Sequence, residues 1–484
     1  MASRSPEKLS WPGHLGLLRD AQRIRLLDLQ DKTSRTRAAL FGLALLLGTI
    51  LGGLLVHVPL LHLMLGIGGL AFAFLLLFKI EVAVIVALLL RDWLGQYNYL
   101  GGETPMHPNG VLGVAIIGGA LFFFLFNRID FSRLPALKAY TAFFVVCLLS
   151  LMLTGEHFAY GLTVTLRLAT ALAIYAVLVY RLDTIKQVKW VIAVTVGAQI
   201  WPVISGLLRI VRGAGGMLSD SGFARLGNSG RGVYYAMIVT LCLVHFLNAK
   251  TKSGRLLWGS LSGLFGAGLF FSYGRGGWIG FVVALIVIGL LRHRKLLMIL
   301  PVLLVLAVVL VPTIPARFAD IDLDNLTDRD SSTLAHRYEL WQASIEVYKT
   351  HPLFGVGYGA DRYRVGEYLG QYPWMIHNDY LSVLLGTGLV GFVLFIIWHG
   401  QWLVELLKVY RGTRYEYDKM MALAVLAVFI ASLVFRISDN MLLPTDKLYG
   451  LSALVAVILA LPSIRADEEA RKSDLVVSKG HLHD

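Results

Sequence analysis

Along this chain, long apolar runs alternate with short polar connectors. Runs near 38–56, 58–78, 80–95, 110–126, 136–154, 161–180, 189–208, 233–249, 256–271, 278–291, 296–312, 379–399, 420–435 and 447–463 approach the roughly 20 residues that a helix needs to cross a bilayer core. The pattern predicts an all-α polytopic membrane protein with about 12–14 transmembrane helices. The range reflects Lys79 and Glu81, which leave little room for a turn between the second and third runs.

Alternate connectors are basic. They hold Arg35 and Arg37; Lys79; Arg128, Arg133 and Lys138; Arg181, Lys186 and Lys189; Lys250, Lys252 and Arg255; Arg292, Arg294 and Lys295; Lys408 to Lys419; and Arg465, Arg471, Lys472 and Lys479. The positive-inside rule places these on the cytoplasmic side, and both termini with them. The expected organisation is a basic cytoplasmic tail over 1–37, a membrane domain over 38–463 and a cytoplasmic tail over 464–484. The N-terminal tail lacks an apolar core, so it does not read as a cleaved signal peptide. Within it, Leu17 to Leu29 suits either an amphipathic helix on the inner leaflet or a solvated basic tail.

Composition agrees with this reading. Of 484 residues, 56% are hydrophobic and 15% charged, and the mean hydropathy is +0.67. Such a chain could not stay in water without large exposed apolar patches, which excludes a soluble enzyme. Two cysteines, Cys147 and Cys242, both inside apolar runs, exclude a disulfide scaffold. The net charge of +13 would suggest nucleic acid in a soluble protein. Here most of it is inner-face anchoring, and no nucleic-acid partner is expected.

On the opposite side lie two large segments, 209–232 and 313–378, a shorter one near 96–109, and the tight turn Tyr273 to Gly277. Segment 313–378 is too long for a mere connector. Leu334, Tyr338, Trp341, Ile345 and Tyr348 recur at helical spacing and predict a surface helix whose stripe rests on the bundle. Ser331, Ser332 and Thr333 offer caps, and His351-Pro352 ends it. The acids Asp320, Asp322, Asp324, Asp328 and Asp330 begin like a calcium loop, but Asn325 and Ser331 stand at its sixth and twelfth positions. No metal is expected.

Arg209, Arg212, Arg225, Arg231, Arg275 and Arg337 run against the charge trend of this outer side. Arg209 and Arg212 follow a helix end and suit headgroup anchors. Arg275 sits in Phe271-Ser-Tyr-Gly-Arg-Gly-Gly-Trp278, a glycine-flanked turn suited to an anion. Arg225 lies in Phe223-Ala-Arg-Leu-Gly-Asn-Ser-Gly-Arg231-Gly, just before a helix, where amides and a guanidinium can hold phosphate together. His57, His62, His107, His157 and His245 read as packed or interface residues. His377, in Met375-Ile-His-Asn-Asp-Tyr-Leu, stands where the large segment enters the next crossing.

Three stretches together resemble the O-antigen ligase and O-antigen polymerase superfamily of bacterial membrane glycosyltransferases. These are His377-Asn378 followed after nine residues by Gly388-Leu-Val-Gly391; His336-Arg337-Tyr-Glu-Leu-Trp341 with His351-Pro-Leu-Phe-Gly-Val-Gly-Tyr-Gly359; and Ser272-Tyr-Gly-Arg275-Gly-Gly-Trp. Where the family often has an Arg-Gly and an Asn-Pro-Asn-like turn, Arg225-Leu-Gly-Asn-Ser-Gly-Arg231 lacks the proline. Either arginine could match, and Arg225 is favoured.

The resemblance implies transfer of a preassembled glycan from undecaprenyl pyrophosphate to an acceptor hydroxyl, on lipid A core or a growing glycan. It places the enzyme in the bacterial inner membrane with its site on the periplasmic side and segment 313–378 as the large periplasmic loop, with short helices. No metal or other cofactor is implied. His377 would be the general base, Arg275 and Arg225 would stabilise the departing pyrophosphate, and Arg337, Arg231, Tyr273 and Asn378 would bind or orient substrate. Lipid would enter laterally from the bilayer. The same site would serve a polymerase or a pilin-type protein O-oligosaccharyltransferase. A transporter or flippase is the alternative from another class. It would spread ionisable residues through the membrane centre, where Arg167 is the clear case.

Overall fold

The structure is a computed structural model that describes residues 60–95, 107–127, 129–131, 134–155, 157–212, 229–272, 274–310 and 333–480. The run at 38–56, the N-terminal tail, the acids between 320 and 330, Ser331, Ser332, Arg225 and Tyr273 lie outside the described residues. Two units are separated near Ile80. The first has α1 (Leu60–Phe78) as its described helix, and the second carries everything below.

The described residues are helical and contain no strand. In order they form α2 (Ile80–Gly95), α3 (Pro108–Phe126), α4 (Leu137–Thr154), α5 (Phe158–Arg181), α6 (Ile185–Gly197), α7 (Ile200–Val211), α8 (Ser229–Leu247), α9 (Lys252–Phe271), α10 (Arg275–Leu291) and α11 (Lys295–Leu310). There follow α12 (Thr333–Thr350), α13 (Asp361–Leu369), α14 (Asp379–Gly412), α15 (Glu416–Phe435) and α16 (Thr445–Gly480). Among the described residues, seven spans are long and apolar enough to cross a membrane: α3, α4, α5, the α6–α7 pair, α14, α15 and α16. The chain is thus an all-α polytopic membrane protein, and these spans fall on apolar runs read from sequence, whereas α12 and α13 lie within segment 313–378.

Local chemistry sets the helix starts. His107 Nδ1 accepts from Gly110 N at 2.9 Å ahead of Pro108 in α3. Thr184 and Gln187 form a reciprocal capping box on α6. α15 and the membrane part of α16 are apolar on all sides because they are buried on all sides. α3 and α4 instead leave Val111, Val114, Leu121, Leu149 and Leu153 exposed, as lipid-facing helices do. Tyr140 stacks on Trp398 at 3.8 Å, and Trp398 meets Trp402 at 4.9 Å, so aromatic rings lock α4 to α14.

α14 holds the main irregularity. Its 34 residues are interrupted at Gly388, with φ 64° and ψ −169°. Segment 352–357 fills the break. Val356 N donates to Leu385 O at 2.9 Å and Gly357 N to Gly386 O at 3.1 Å, while Leu389 N donates to Pro352 O at 2.8 Å. Ser150 Oγ of α4 donates to Gly386 O at 2.6 Å. The groups released by the break therefore find partners away from water, the condition for irregular backbone in a membrane protein. This gives two of the sequence motifs one cause: the Pro-Leu-Phe-Gly turn is the plug, and the glycine ten positions after Asn378 is the gap it fills.

α12 ends at Thr350, just before His351-Pro352, as expected. Its packed face differs from the expected stripe. Ala335, Leu340, Ala343, Ser344 and Val347 are buried, whereas Ile345 is 45% exposed. Leu340, Ala343 and Val347 pack with Val356, Val365, Ile376 and Leu385, and Trp341 and Tyr348 lie at the margin. Small residues won the inner positions because the plug and α14 approach closely there.

A Cβ at Gly388 would stand 2.2 Å from the backbone of Leu353, whereas at Gly400, in the same helix, it would meet nothing within 4 Å. Gly388→Ala is expected to lose more than about 3 kcal/mol from combined strain and clash. Gly400→Ala is expected to be neutral or to gain up to about 1 kcal/mol. Thermal unfolding of the two variants in detergent, followed by circular dichroism, checks the contrast.

Candidate active site

The site lies at one end of the bundle, where α8, α10, α14 and α16 begin and α15 ends. It is built on the first residue of α14. Asp379 and Arg436 are each about 1% exposed, and Arg436 Nη1 donates to Asp379 Oδ2 at 2.8 Å. The same oxygen accepts from Met441 N at 2.8 Å and Leu442 N at 3.2 Å, and Asp379 N donates to Arg436 O at 3.0 Å. These bonds clamp the connector 436–444 over the start of α14. Lys447 Nζ, also buried, donates to Asn440 O at 3.0 Å.

Clamped in this way, the connector presents Asp439 to His377. His377 Nδ1 lies 3.1 Å from Asp439 Oδ1, with both side chains partly accessible. Burial pushes the Asp439 carboxyl up, but the hydrogen bond from His377 and the charge of Lys447 outweigh it and bring it down to about 2. At neutral pH Asp439 is therefore a carboxylate. In the tautomer that carries its proton on Nδ1, His377 donates to this carboxylate and its Nε2 is the nitrogen left to accept. His377 is held with φ at +55°, in the left-handed region. A non-glycine residue adopts this only where its surroundings dictate it, and such residues gather at functional sites. The next residue supplies one anchor: Asn378 Oδ1 caps α14 by accepting from Leu381 N at 3.1 Å. Trp341 Nε1 supplies another by donating to Ile376 O at 2.9 Å.

Arg337, on α12, reaches the same connector, where its Nη1 donates to Ser438 O at 2.6 Å. Its Nε is buried without a hydrogen-bond partner among the described residues. Burial lowers its basicity, and the charge of Asp439 opposes that.

Arg231 and Arg275 sit in the first turns of α8 and α10 and are half-buried. A Cβ on Gly277 would lie 2.6 Å from the Gly232 backbone, and one on Gly276 would lie 2.4 Å from the Phe435 ring. Glycine is required at both places. The two helix starts thus cross in contact, and α10 abuts the end of α15, one residue before Arg436. No side chain caps α10, so positive helix ends and two arginines converge at this end of the bundle. Arg209 and Arg212 lie at the end of α7.

Of the residues expected to act on or bind substrate, His377, Asn378, Arg337, Arg231 and Arg275 are described, and all lie at this end. Arg225 and Tyr273 fall outside the described residues. Sequence reasoning missed Asp379, Arg436, Asp439 and Lys447. For the last three the signal was the short connector Arg436 to Lys447, which holds Arg436, Asp439, Asp446 and Lys447 between two strongly apolar segments.

Among known proteins, residues 260–396 match the family model described as O-antigen ligase. This supports placing the chain in the O-antigen ligase superfamily, as the motifs suggested. No curated protein matches the chain.

The geometry separates the buried Asp379–Arg436 clamp from the partly accessible His377–Asp439 pair. Asp379→Ala leaves Arg436 buried without its partner and is expected to cost about 3–5 kcal/mol. Asp439→Asn keeps the side chain's size but gives up the stabilisation of its ionised form, so it is expected to cost less stability than Asp379→Ala while lowering turnover by about 10²–10⁴-fold. Thermal unfolding and transfer rates measured on the same preparations distinguish the two.

Proposed function

We propose, for a chain whose residues 260–396 match the O-antigen ligase family, that it moves a preassembled glycan from undecaprenyl pyrophosphate to a hydroxyl of lipid A core. The observation that carries this reading is the His377–Asp439 pair, set at the bundle end where α8 and α10 bring Arg231 and Arg275.

The chemistry follows from the groups. A sugar hydroxyl is a poor nucleophile until its proton leaves. His377 Nε2 takes that proton as the oxygen attacks the anomeric carbon, and Asp439 stabilises the imidazolium that results. The bond from the anomeric carbon to the phosphate oxygen breaks on the opposite face, so the configuration inverts. Its electrons pass to undecaprenyl pyrophosphate, a leaving group that needs fixed positive charge and no proton. Arg275 supplies that charge at an uncapped helix start, and Arg225 and Arg231 are assigned with it. Arg337 holds the diphosphate or the connector. Guanidinium groups suit the task because they grip phosphate oxygens through paired hydrogen bonds.

Topology supports the orientation. Connectors at the far end carry Arg292 and Arg465, paired with Glu416 and Asp418. The positive-inside rule puts that end in the cytoplasm and the site in the periplasm, in an inner membrane. Exposed apolar faces on α3, α4, α10 and α11 leave the polyprenyl tail in the bilayer while its headgroup enters sideways.

Purified protein in nanodiscs, given undecaprenyl-pyrophosphate glycan with and without lipid A core, tests the reading. Transfer should require the core, fall about 10²–10⁴-fold in His377→Ala, and fall by roughly 10² in Arg275→Lys. Chain growth without added core would assign a polymerase instead, and full activity in His377→Ala would remove the general base.

A further inference from the structure

Between α13 and His377, the chain holds two large rings out of the fold. Tyr372 is 69% and Trp374 46% exposed, with ring centroids 5.6 Å apart and planes at 71°. The turn that carries them is fixed. Gly370 ends α13 in the left-handed region, Gln371 N donates to Gly366 O at 2.8 Å, and Trp374 N donates to Tyr372 O at 2.8 Å. Exposed aromatics on a rigid turn, rather than scattered singly, mark a binding surface.

Planar polar groups stand beside the rings. The His336 ring meets Trp374 edge-on at 5.7 Å, and its Nδ1 lies 3.6 Å from Glu339 Oε2. Gln371 Nε2 donates to Glu339 Oε1 at 3.2 Å, while Gln371 Oε1 is buried without a hydrogen-bond partner among the described residues. An imidazole, a carboxylate and an amide thus adjoin two aromatic faces. Residues 366–376 contain no Lys or Arg, and Glu367 adds a second carboxylate. Glu339 disfavours an anionic headgroup at the rings themselves, while Glu367 is engaged by Arg364 and His157. A sugar fits both features. The C–H face of a pyranose lies on an aromatic ring, and its neighbouring hydroxyls suit planar donors and acceptors.

We propose that Tyr372 and Trp374, flanked by Gln371, Glu339 and His336, form a saccharide-stacking subsite that delivers the acceptor glycan to His377. Trp374 lies three residues before His377, on the same fixed segment, whereas Arg231 and Arg275, assigned to the pyrophosphate, start other helices. The ring subsite therefore belongs to the acceptor. The proposal rests on the transfer reading and adds to it where the acceptor sits.

The test uses the full chain in nanodiscs and, as probe, lipid-free core oligosaccharide observed by saturation-transfer NMR. Wild-type protein should pass saturation to pyranose C–H protons, the double variant Tyr372→Ala with Trp374→Ala should not, and Trp374→Phe should retain the signal. In transfer assays the double variant should raise the acceptor KM about tenfold while kcat and the donor KM stay within about twofold. Absence of ring-dependent saturation in wild-type protein, or an unchanged acceptor KM, would overturn the subsite and leave the rings to the bilayer. A rise in the donor KM alone would overturn its assignment to the acceptor. His377→Ala should still bind the oligosaccharide while transferring nothing. Ring-dependent binding by a wild-type protein that transfers from no lipid-linked donor would sink the transfer reading and spare the subsite.

Discussion

The site depends on one buried carboxylate. Asp379 opens α14 and gathers Arg436 and the amides of Met441 and Leu442 onto a single oxygen. A buried ion pair contributes little net stability against an apolar replacement, because desolvating two charges is costly. Its use here is positional. Once formed, it fixes which residues of the 436–444 connector face α14, and Asp439 is the one that meets His377. The left-handed backbone of His377 belongs to the same constraint, since the chain must turn sharply to place Asn378 as a cap and Asp379 in the clamp.

A second constraint works on the backbone. α14 breaks at Gly388, and a break inside an apolar bundle leaves amides and carbonyls without water. The plug 352–357 answers them one by one, and in doing so ties the large outer segment to the helix that His377 precedes. α12, α13 and the plug share a small apolar core with Ile376 and Leu385. The segment carrying His377, the rings and Arg337 is therefore joined to the bundle on both sides of the site. Pre-organisation of this kind is what a general base and an acceptor subsite require.

Much of this was legible in the sequence, for identifiable reasons. Apolar runs of bilayer length gave the helices, because membrane crossing imposes one length and one polarity on each. His377, Arg275 and Arg337 stood out as polar groups where the charge trend predicts few. What escaped was whatever depends on contacts between distant segments. Asp379 and Asp439 are 60 positions apart, and nothing local says that one holds the other's connector in place. The packed face of α12 was misplaced by spacing alone, because the plug selects Ala343 and Ser344 over Ile345 for close approach. The break at Gly388 was visible only as a motif. Its meaning came from the carbonyls of Leu385 and Gly386 and the amides that meet them.

We propose that Asp439 accepts the hydrogen bond from Nδ1–H of His377 and so turns Nε2 toward substrate. The most direct measurement is the ¹⁵N spectrum of histidine-labelled protein near neutral pH, with His377 assigned among 13 histidines by its loss in His377→Gln. The account predicts a protonated Nδ1 and an unprotonated Nε2, with that preference lost in Asp439→Asn. A proton on Nε2 in the wild-type protein, or a spectrum indifferent to Asp439→Asn, would contradict it.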